Sequence, residues 1–397
     1  MADQFNYDSF FSDGSRDTPP GSVRHSKYDF AVAYPDPDNL PLEDLIESVK
    51  AGFEREGKDL AYYSAGAGDP ELRKLVADKL NRERNMKVTA DDMVLTSGSG
   101  EAIGIVIQAL TNPGDVVLVE EFVYLGTLNQ MKRYEADVVA VKCDDGGIIP
   151  ESLDSVIAEQ TAKGKTVKYL YTIPMFQNPL GWTMNLERRK QVLEITGKHG
   201  IPIFEDDCYA DLRFEGEDVT SFHSLDDTGR VVYVGSFSKI IAPGMRMGYL
   251  VAPKEVIGRA WSFKSGGAVS QFTALTIAEY MKGGLRRHID EQNRALMAKR
   301  DAMVSALGEN FGSSVEWSVP AGGLYCWVKF PDGTDLASVQ EEVFHEGVSY
   351  YNGSQFSPTG DGSNFVRLCF GHPSVETIHE GVAELARILD RKRVFPR

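Results

Sequence analysis

Gly235-Ser236-Phe237-Ser238-Lys239 follows the apolar run Val231 to Val234 without a break, and Pro243, Gly244 and Arg246 come close behind. The run reads as a buried strand and the small residues after it as a tight loop. A strand therefore ends here and delivers two hydroxyls and two cations into one turn. In open α/β sheets, ligands sit beyond the carboxyl ends of the strands. Taken alone, Lys239 reads as a solvated lysine at a strand end; the flanking serines and Arg246 weigh against that. Desolvation and a neighbouring cation depress a lysine from its usual pKa of ~10.4 and make it a nucleophile able to form a Schiff base. Ser236, Ser238 and Arg246 can hold a phosphate, with Arg246 supplying a bidentate charged contact.

Outward from this loop, short apolar runs alternate with helical patterns. The runs are Met93 to Thr96, Val116 to Val119, Val138 to Val141, Lys168 to Thr172 and Ile201 to Glu205. Pro70 to Asn85, Glu101 to Leu110 and Glu187 to His199 carry helical periodicity. Such alternation predicts an α/β domain with a mostly parallel sheet. After Gly284 a long charged helix, Leu285 to Gly308, precedes a strand through Tyr325 to Phe330 and a last helix, Ser374 to Leu389. The expected division is an N-terminal arm (1–27), a large domain (51–284) and a smaller α+β domain made of 28–50 and 285–397.

The bulk numbers fit an ordinary folded protein: 397 residues, 42% hydrophobic and 25% charged. A net charge of −16 repels polyanions, so no nucleic acid partner is expected. Cys143, Cys208, Cys326 and Cys369 lie far apart with no CxxC pair, and read as reduced, buried thiols. No metal site is expected. No signal peptide or run of the ~20 apolar residues a membrane helix requires is visible, so a soluble cytoplasmic protein with no membrane partner is expected.

Three further signals carry chemistry. Ser97-Gly98-Ser99-Gly100 stands between a strand and the helix at Glu101, where backbone amides and the helix dipole favour an anion. With Gly104 it also makes GxGxxxG, and Glu120 and Glu121 follow about twenty residues on, where a dinucleotide fold places its ribose acid. Nucleotide binding, a cofactor phosphate and a structural turn all remain open for this segment. Ile203-Phe204-Glu205-Asp206-Asp207-Cys208-Tyr209 runs a strand into a cluster of acids. One acid there can cap a helix, or sit beneath a pyridine nitrogen and keep it protonated, which makes the ring an electron sink. Phe176-Gln177-Asn178-Pro179-Leu180-Gly181 is first a turn, though the Asn178 amide can also bond a phenolic oxygen. Arg367 lies on the apolar strand pattern Asn364 to Leu368 and needs a partner, a protein acid or a substrate carboxylate.

The order of these motifs, through Asn178-Pro179 and Asp206-x-x-Tyr209 to Ser236-x-Ser238-Lys239, Arg246 and Arg367, resembles the fold-type I pyridoxal-phosphate (PLP) aminotransferases of class I/II. Tyr233 to Pro253, Pro320 to Trp327 and Gly347 to Phe356 are most similar to the branch of 2-aminoadipate transaminases and the aminotransferase-like domains of certain transcription regulators. The resemblance spans roughly residues 30 to 390. It implies an aspartate aminotransferase-like PLP-dependent transferase fold with pyridoxal 5'-phosphate as cofactor. Lys239 would be the Schiff-base lysine and the base that moves the α-proton. Asp206 would pair with the pyridinium nitrogen, and Asn178 and Tyr209 would hold the phenolic oxygen. Tyr124 would stack on the ring. Gly98, Ser99, Gly100, Ser236, Ser238 and Arg246 would grip the phosphate, joined by Tyr63 from the partner subunit of a homodimer. Arg367, with Asn178 and the backbone at Ala33, would meet the substrate α-carboxylate.

The resemblance thus implies amino transfer from an L-amino acid to a 2-oxo acid by a ping-pong route. Elimination, replacement or cyclisation on the same cofactor is the alternative, and a nicotinamide-dependent dehydrogenase a distant one. The regulator branch carries a winged-helix domain, which 27 residues do not hold. Departures from the branch fall at Ala33, where a double glycine is usual, and at Asn352, where a proline is usual; both suggest an altered substrate pocket. Gly100-Glu101 stands in place of paired glutamines. Arg16 or Arg24 can meet a distal carboxylate, though solvated arm residues are the plainer reading.

Overall fold

The computed structural model describes residues 5–12 and 24–395. Seven strands form the main sheet in the order Met93–Thr96, Gly248–Val251, Val231–Ser236, Ile203–Asp206, Val167–Thr172, Val116–Glu120 and Asp137–Val141. Gly248–Val251 is antiparallel to both neighbours and the other pairs are parallel. Val117, Val119, Tyr171 and Phe204 join one buried cluster, while Val116, Leu118, Leu170 and Ile203 join another. Because side chains alternate across a strand, both faces of the sheet are covered, and its strands read as unbroken apolar runs.

Helix ends follow local chemistry. Asp69 accepts the Leu72 amide and Pro70 opens the helix Pro70–Arg84. It stops at Arg84, one residue short of expectation, because Asn85 turns left-handed at φ 52°. The helix expected from Glu101 begins at Ser99, immediately after Gly98, whose φ of +86° makes the turn. Leu285–Phe311 runs three residues beyond expectation, to Gly312 at φ +57°.

A second, antiparallel sheet orders Glu316–Trp317, Tyr325–Lys329, Phe365–Cys369 and Tyr351–Asn352. Trp327 and Tyr351 lie opposite Arg367, and Tyr325 opposite Cys369, so Tyr325, Tyr351 and Arg367 share one face. The helices Leu285–Phe311 and Val375–Lys392 pack together, and Tyr28–Asp29 pairs in parallel with Val348–Ser349. The helix Leu42–Glu56 runs through the boundary expected at residue 50. It packs on Gln271–Met281, and a Cβ at Gly52 would lie 2.9 Å from Leu275 Cβ.

Candidate active site

A cavity of about 430 Å3 opens at the carboxyl ends of the central strands. Ala33, Ser99, Gly100, Tyr124, Asn178, Asp206, Tyr209, Ser236, Ser238, Lys239, Arg246 and Arg367 all line it. These residues are spread across more than 300 positions of sequence, and the sheet topology gathers them.

Lys239 donates from Nζ to the Ala33 carbonyl at 2.7 Å, and Gln292 holds the Lys239 carbonyl from Nε2 at 2.9 Å. Burial pushes the amine below the ordinary lysine value; Cys369 and Cys208 oppose this, while Arg367 and Arg246 lower it further. An amine so placed loses its proton easily and is a competent nucleophile.

The three acids at the end of Ile203–Asp206 have separate fates. Glu205 accepts the Phe222 and His223 amides and faces Arg189, which is the capping role. Asp207 accepts the Tyr233 hydroxyl at 2.6 Å and faces Arg84 at 3.6 Å. Asp206 alone lines the cavity. Its Oδ2 takes the Tyr171 hydroxyl at 2.6 Å, while Oδ1 is buried without a partner. Burial raises the Asp206 carboxyl above its ordinary value, against the Tyr171 hydrogen bond that lowers it. A buried carboxylate with a free oxygen calls for a cationic donor.

Asn178 connects the two sheets. Its Oδ1 accepts from Arg367 Nη1 at 2.8 Å, and its Nδ2 donates to the hydroxyls of Tyr209 at 3.0 Å and Tyr325 at 3.3 Å. Arg367 also donates to the Ala31 carbonyl, and its guanidinium lies 4.5, 4.9 and 5.1 Å from the rings of Tyr325, Tyr351 and Phe356. Among the described residues its hydrogen bonds go to an amide and a backbone carbonyl and no carboxylate pairs with it, while Nε is unpartnered. Of the two partners expected for this arginine, the described residues supply no protein acid.

At the other end Gly98, behind the cavity wall, abuts Arg246: a Cβ there would lie 2.6 Å from Nη2. Arg246 donates to the Ser97 carbonyl at 3.1 Å, and Ser236 Oγ accepts the Ser238 amide at 3.1 Å. With the amino end of the helix Ser99–Leu110, these groups form an anion cradle. The cradle, the unpartnered Asp206 oxygen and the lysine amine fit the phosphate, pyridine nitrogen and aldehyde of PLP.

Some expected residues lie elsewhere. Tyr63 is outside this cavity, 105% exposed, and lines a separate one with Tyr62 and Trp261. Asn352 does not alter the pocket as its departure suggested. It is fully buried, caps the turn Gly353–Phe356 and donates to the Ser363 and Phe365 carbonyls, so it shapes the wall only through Tyr351 and Phe356. Arg24 pairs with Glu341 and lies over Phe344 at 3.9 Å, away from the cavity; Arg16 lies outside the described residues. Glu120 is no ribose acid: it is buried, accepting from Thr172, the Ile173 amide and Gln177 Nε2, with burial pushing it up to about 8. Glu121, the other acid, lines a separate pocket with Phe122 and Trp182, so neither acid of the nicotinamide reading faces the cavity.

Sequence reasoning missed Tyr171, Tyr325 and Cys208. Tyr325 stands within Pro320 to Trp327, on the face shared with Arg367, but only the strand register reveals that. Cys208 was expected to be a plain buried thiol and instead lines the cavity.

Fold and site together define a fold-type I PLP enzyme. The family model "Aminotransferase class I and II" matches residues 31–385, and the chain belongs to that family. It is 33% identical to an aromatic-amino-acid aminotransferase 1 of Thermococcus litoralis over 98% of this chain and 96% of the relative. Among solved structures, a multiple substrate aminotransferase from Thermococcus profundus superposes with TM-score 0.92 at 31% identity, covering 98% of this chain and 99% of that one. The alpha-aminoadipate aminotransferase of Thermus thermophilus, solved with N-(5'-phosphopyridoxyl)-L-leucine, gives TM-score 0.86 at 26% identity over 98% and 99%. The protein is a PLP-dependent aminotransferase, and the lyase and dehydrogenase readings fall away. No helix of the described residues is long and apolar enough to cross a membrane.

Proposed function

We propose that amino transfer runs through Lys239, Asp206, Asn178, Tyr209 and Arg367, and that the substrate is an amino acid with an apolar or aromatic side chain. PLP supplies, when bound, an aldehyde that condenses with amines and a protonated ring that withdraws electrons from the substrate Cα. Lys239 Nζ would remove the proton from the substrate Cα and hand it on to the cofactor's aldehyde carbon, the shift that carries the amino group off the substrate. Asp206 Oδ1 holds the ring nitrogen's proton, while Asn178 and Tyr209 bond the phenolic oxygen. Tyr124 covers one ring face; Gly98, Ser99, Gly100, Ser236, Ser238 and Arg246 grip the phosphate. Arg367 takes the α-carboxylate, displacing the backbone carbonyl at Ala31 that it now holds; Ala33 yields Lys239 in the same way. The observation that carries this reading is the unpartnered Asp206 Oδ1 in the cavity that Lys239 lines.

Beyond Lys239, Arg246 and Arg367, the lining among the described residues carries no cation, but offers Tyr34, Leu125, Tyr351 and Phe356. That supports an apolar or aromatic side chain, in keeping with the aromatic relative. Exposed Tyr62, Tyr63, Leu42, Ile46 and Phe272 support a homodimer in which Tyr63 completes the partner's phosphate site. We read the chain as an arm (1–27), a large domain (51–284) and a smaller one (28–50 with 285–397), with the helix Leu42–Glu56 carrying the chain across their boundary, working in the cytoplasm. The test is a screen of amino donors and oxo acids followed by absorbance, with sedimentation for the dimer. An aromatic or aliphatic donor should convert the cofactor band and a 2-oxo acid restore it; conversion by acidic donors only would overturn the substrate class.

A further inference from the structure

The hydrogen bonds around Asn178 leave one proton unaccounted for, and its place can be worked out by inventory. A guanidinium has donors only, so Arg367 Nη1 at 2.8 Å fixes the oxygen of the Asn178 amide towards itself. Both protons of Nδ2 then point the other way, one to Tyr209 and one to Tyr325. The Tyr325 hydroxyl, having accepted one bond, donates its own proton to the Tyr209 hydroxyl at 2.8 Å. Tyr209 thus accepts from Asn178 and from Tyr325, which fills both acceptor positions of a hydroxyl. Its single proton has nowhere to go within this cluster, and Tyr209 lines the cavity.

We propose that Tyr325 is a positioning residue for amino transfer: by occupying the second acceptor site of Tyr209 it forces the Tyr209 proton towards the cofactor's phenolic oxygen. This rests on the reading that Tyr209 bonds that oxygen. Chains of hydrogen bonds polarise one another, so a Tyr209 hydroxyl that accepts two bonds is also a stronger donor. A stronger donor on the phenolic oxygen draws its electrons away from the neighbouring nitrogen proton of the lysine-linked cofactor and eases that proton's loss.

Tyr325 has a second function that a different variant separates. Its ring lies 4.5 Å beneath the Arg367 guanidinium, forming with Tyr351 and Phe356 an aromatic bed that holds the cation without a carboxylate. The hydroxyl therefore serves the cofactor and the ring serves the arginine. Tyr325→Phe removes the first function alone; Tyr325→Leu removes both.

The experiment is a spectroscopic pH titration of the holoenzyme, alongside steady-state kinetics, for Tyr325→Phe, Tyr325→Leu and Tyr209→Phe. Tyr325→Phe should raise the pKa of the cofactor band by about half a unit to one unit, the size expected for one weakened hydrogen bond. It should lower kcat by roughly three- to tenfold with KM unchanged, and Tyr325→Leu should add a rise in KM of about tenfold. If Tyr209→Phe shifts the band and Tyr325→Phe does not, the inference is overturned and the reading of Tyr209 stands. If neither variant shifts it, both are overturned. If Tyr325→Phe raises KM as much as Tyr325→Leu does, the separation of hydroxyl from ring is wrong.

Discussion

Tyr171 donates its hydroxyl to Asp206 Oδ2 at 2.6 Å from the neighbouring strand, leaving Oδ1 free in the same carboxylate. Tyr171 lies opposite Phe204 in the ladder, and Asp206 is two residues further along on the same face. Thr127 in turn donates to the Tyr171 hydroxyl at 3.0 Å, so the carboxylate is fixed in orientation before any ligand arrives. The donor favours the ionised form, opposing the rise that burial imposes. Tyr171→Phe therefore lets the Asp206 carboxyl keep its proton to higher pH. The acid limb of kcat against pH should move upward, and kcat at neutral pH should fall by about tenfold. Asp206→Asn, which removes the charge, should cost roughly 100-fold or more. An unmoved acid limb in Tyr171→Phe would count against this orientation.

Lys239 costs the apoprotein stability. Its folded pKa lies below the ordinary 10.5, so between the two values the unfolded chain binds more protons and stability rises with pH. The penalty is fully present below the folded pKa and is gone above 10.5. Lys239→Met should therefore raise the melting temperature of the apoprotein at pH 7 by roughly 1 to 3 °C, with the gain shrinking towards pH 10.5. The same variant should lose the visible band of the lysine-linked cofactor. Equal melting of both apoproteins across that pH range would contradict the assigned burial.

Gly98 is constrained twice, by its φ of +86° and by Arg246, whose Nη2 would lie 2.6 Å from an added Cβ. Gly98→Ala must shift the arginine or the turn, and both belong to the phosphate cradle proposed above. Affinity for pyridoxal phosphate should fall by about tenfold or more, read by titrating the apoprotein after dialysis. An unchanged dissociation constant would place the phosphate elsewhere.

Arg367→Lys keeps the charge but loses the planar fork and its packing on Tyr325, Tyr351 and Phe356. KM for the amino acid should rise by roughly 100-fold, with the cofactor band intact. A similar rise for an amine that has no carboxylate would show that Arg367 shapes the wall rather than binding the carboxylate.

The sequence by itself determined what depends on a few neighbouring residues. Strand period and turn residues placed the runs Ile201 to Glu205 and Val231 to Val234, whose strands end one and two residues further on at Asp206 and Ser236, because these are local backbone preferences. The same locality exposed the turn at Gly98. Local sequence left open which of three adjacent acids faces the cavity, and only the resemblance pointed to Asp206; the packed sheet decides it, since a strand alternates its side chains between two faces. Tertiary structure also decided the partners of that acid and of Arg367. Tyr171 and Asp206 are 35 residues apart, Asn178 and Arg367 are 189, and strand register and the docking of one sheet against the other bring them together. Asn352 shows the converse: an unusual residue in a motif reads as a changed pocket, yet its amide is spent on backbone carbonyls that a sequence cannot place beside it.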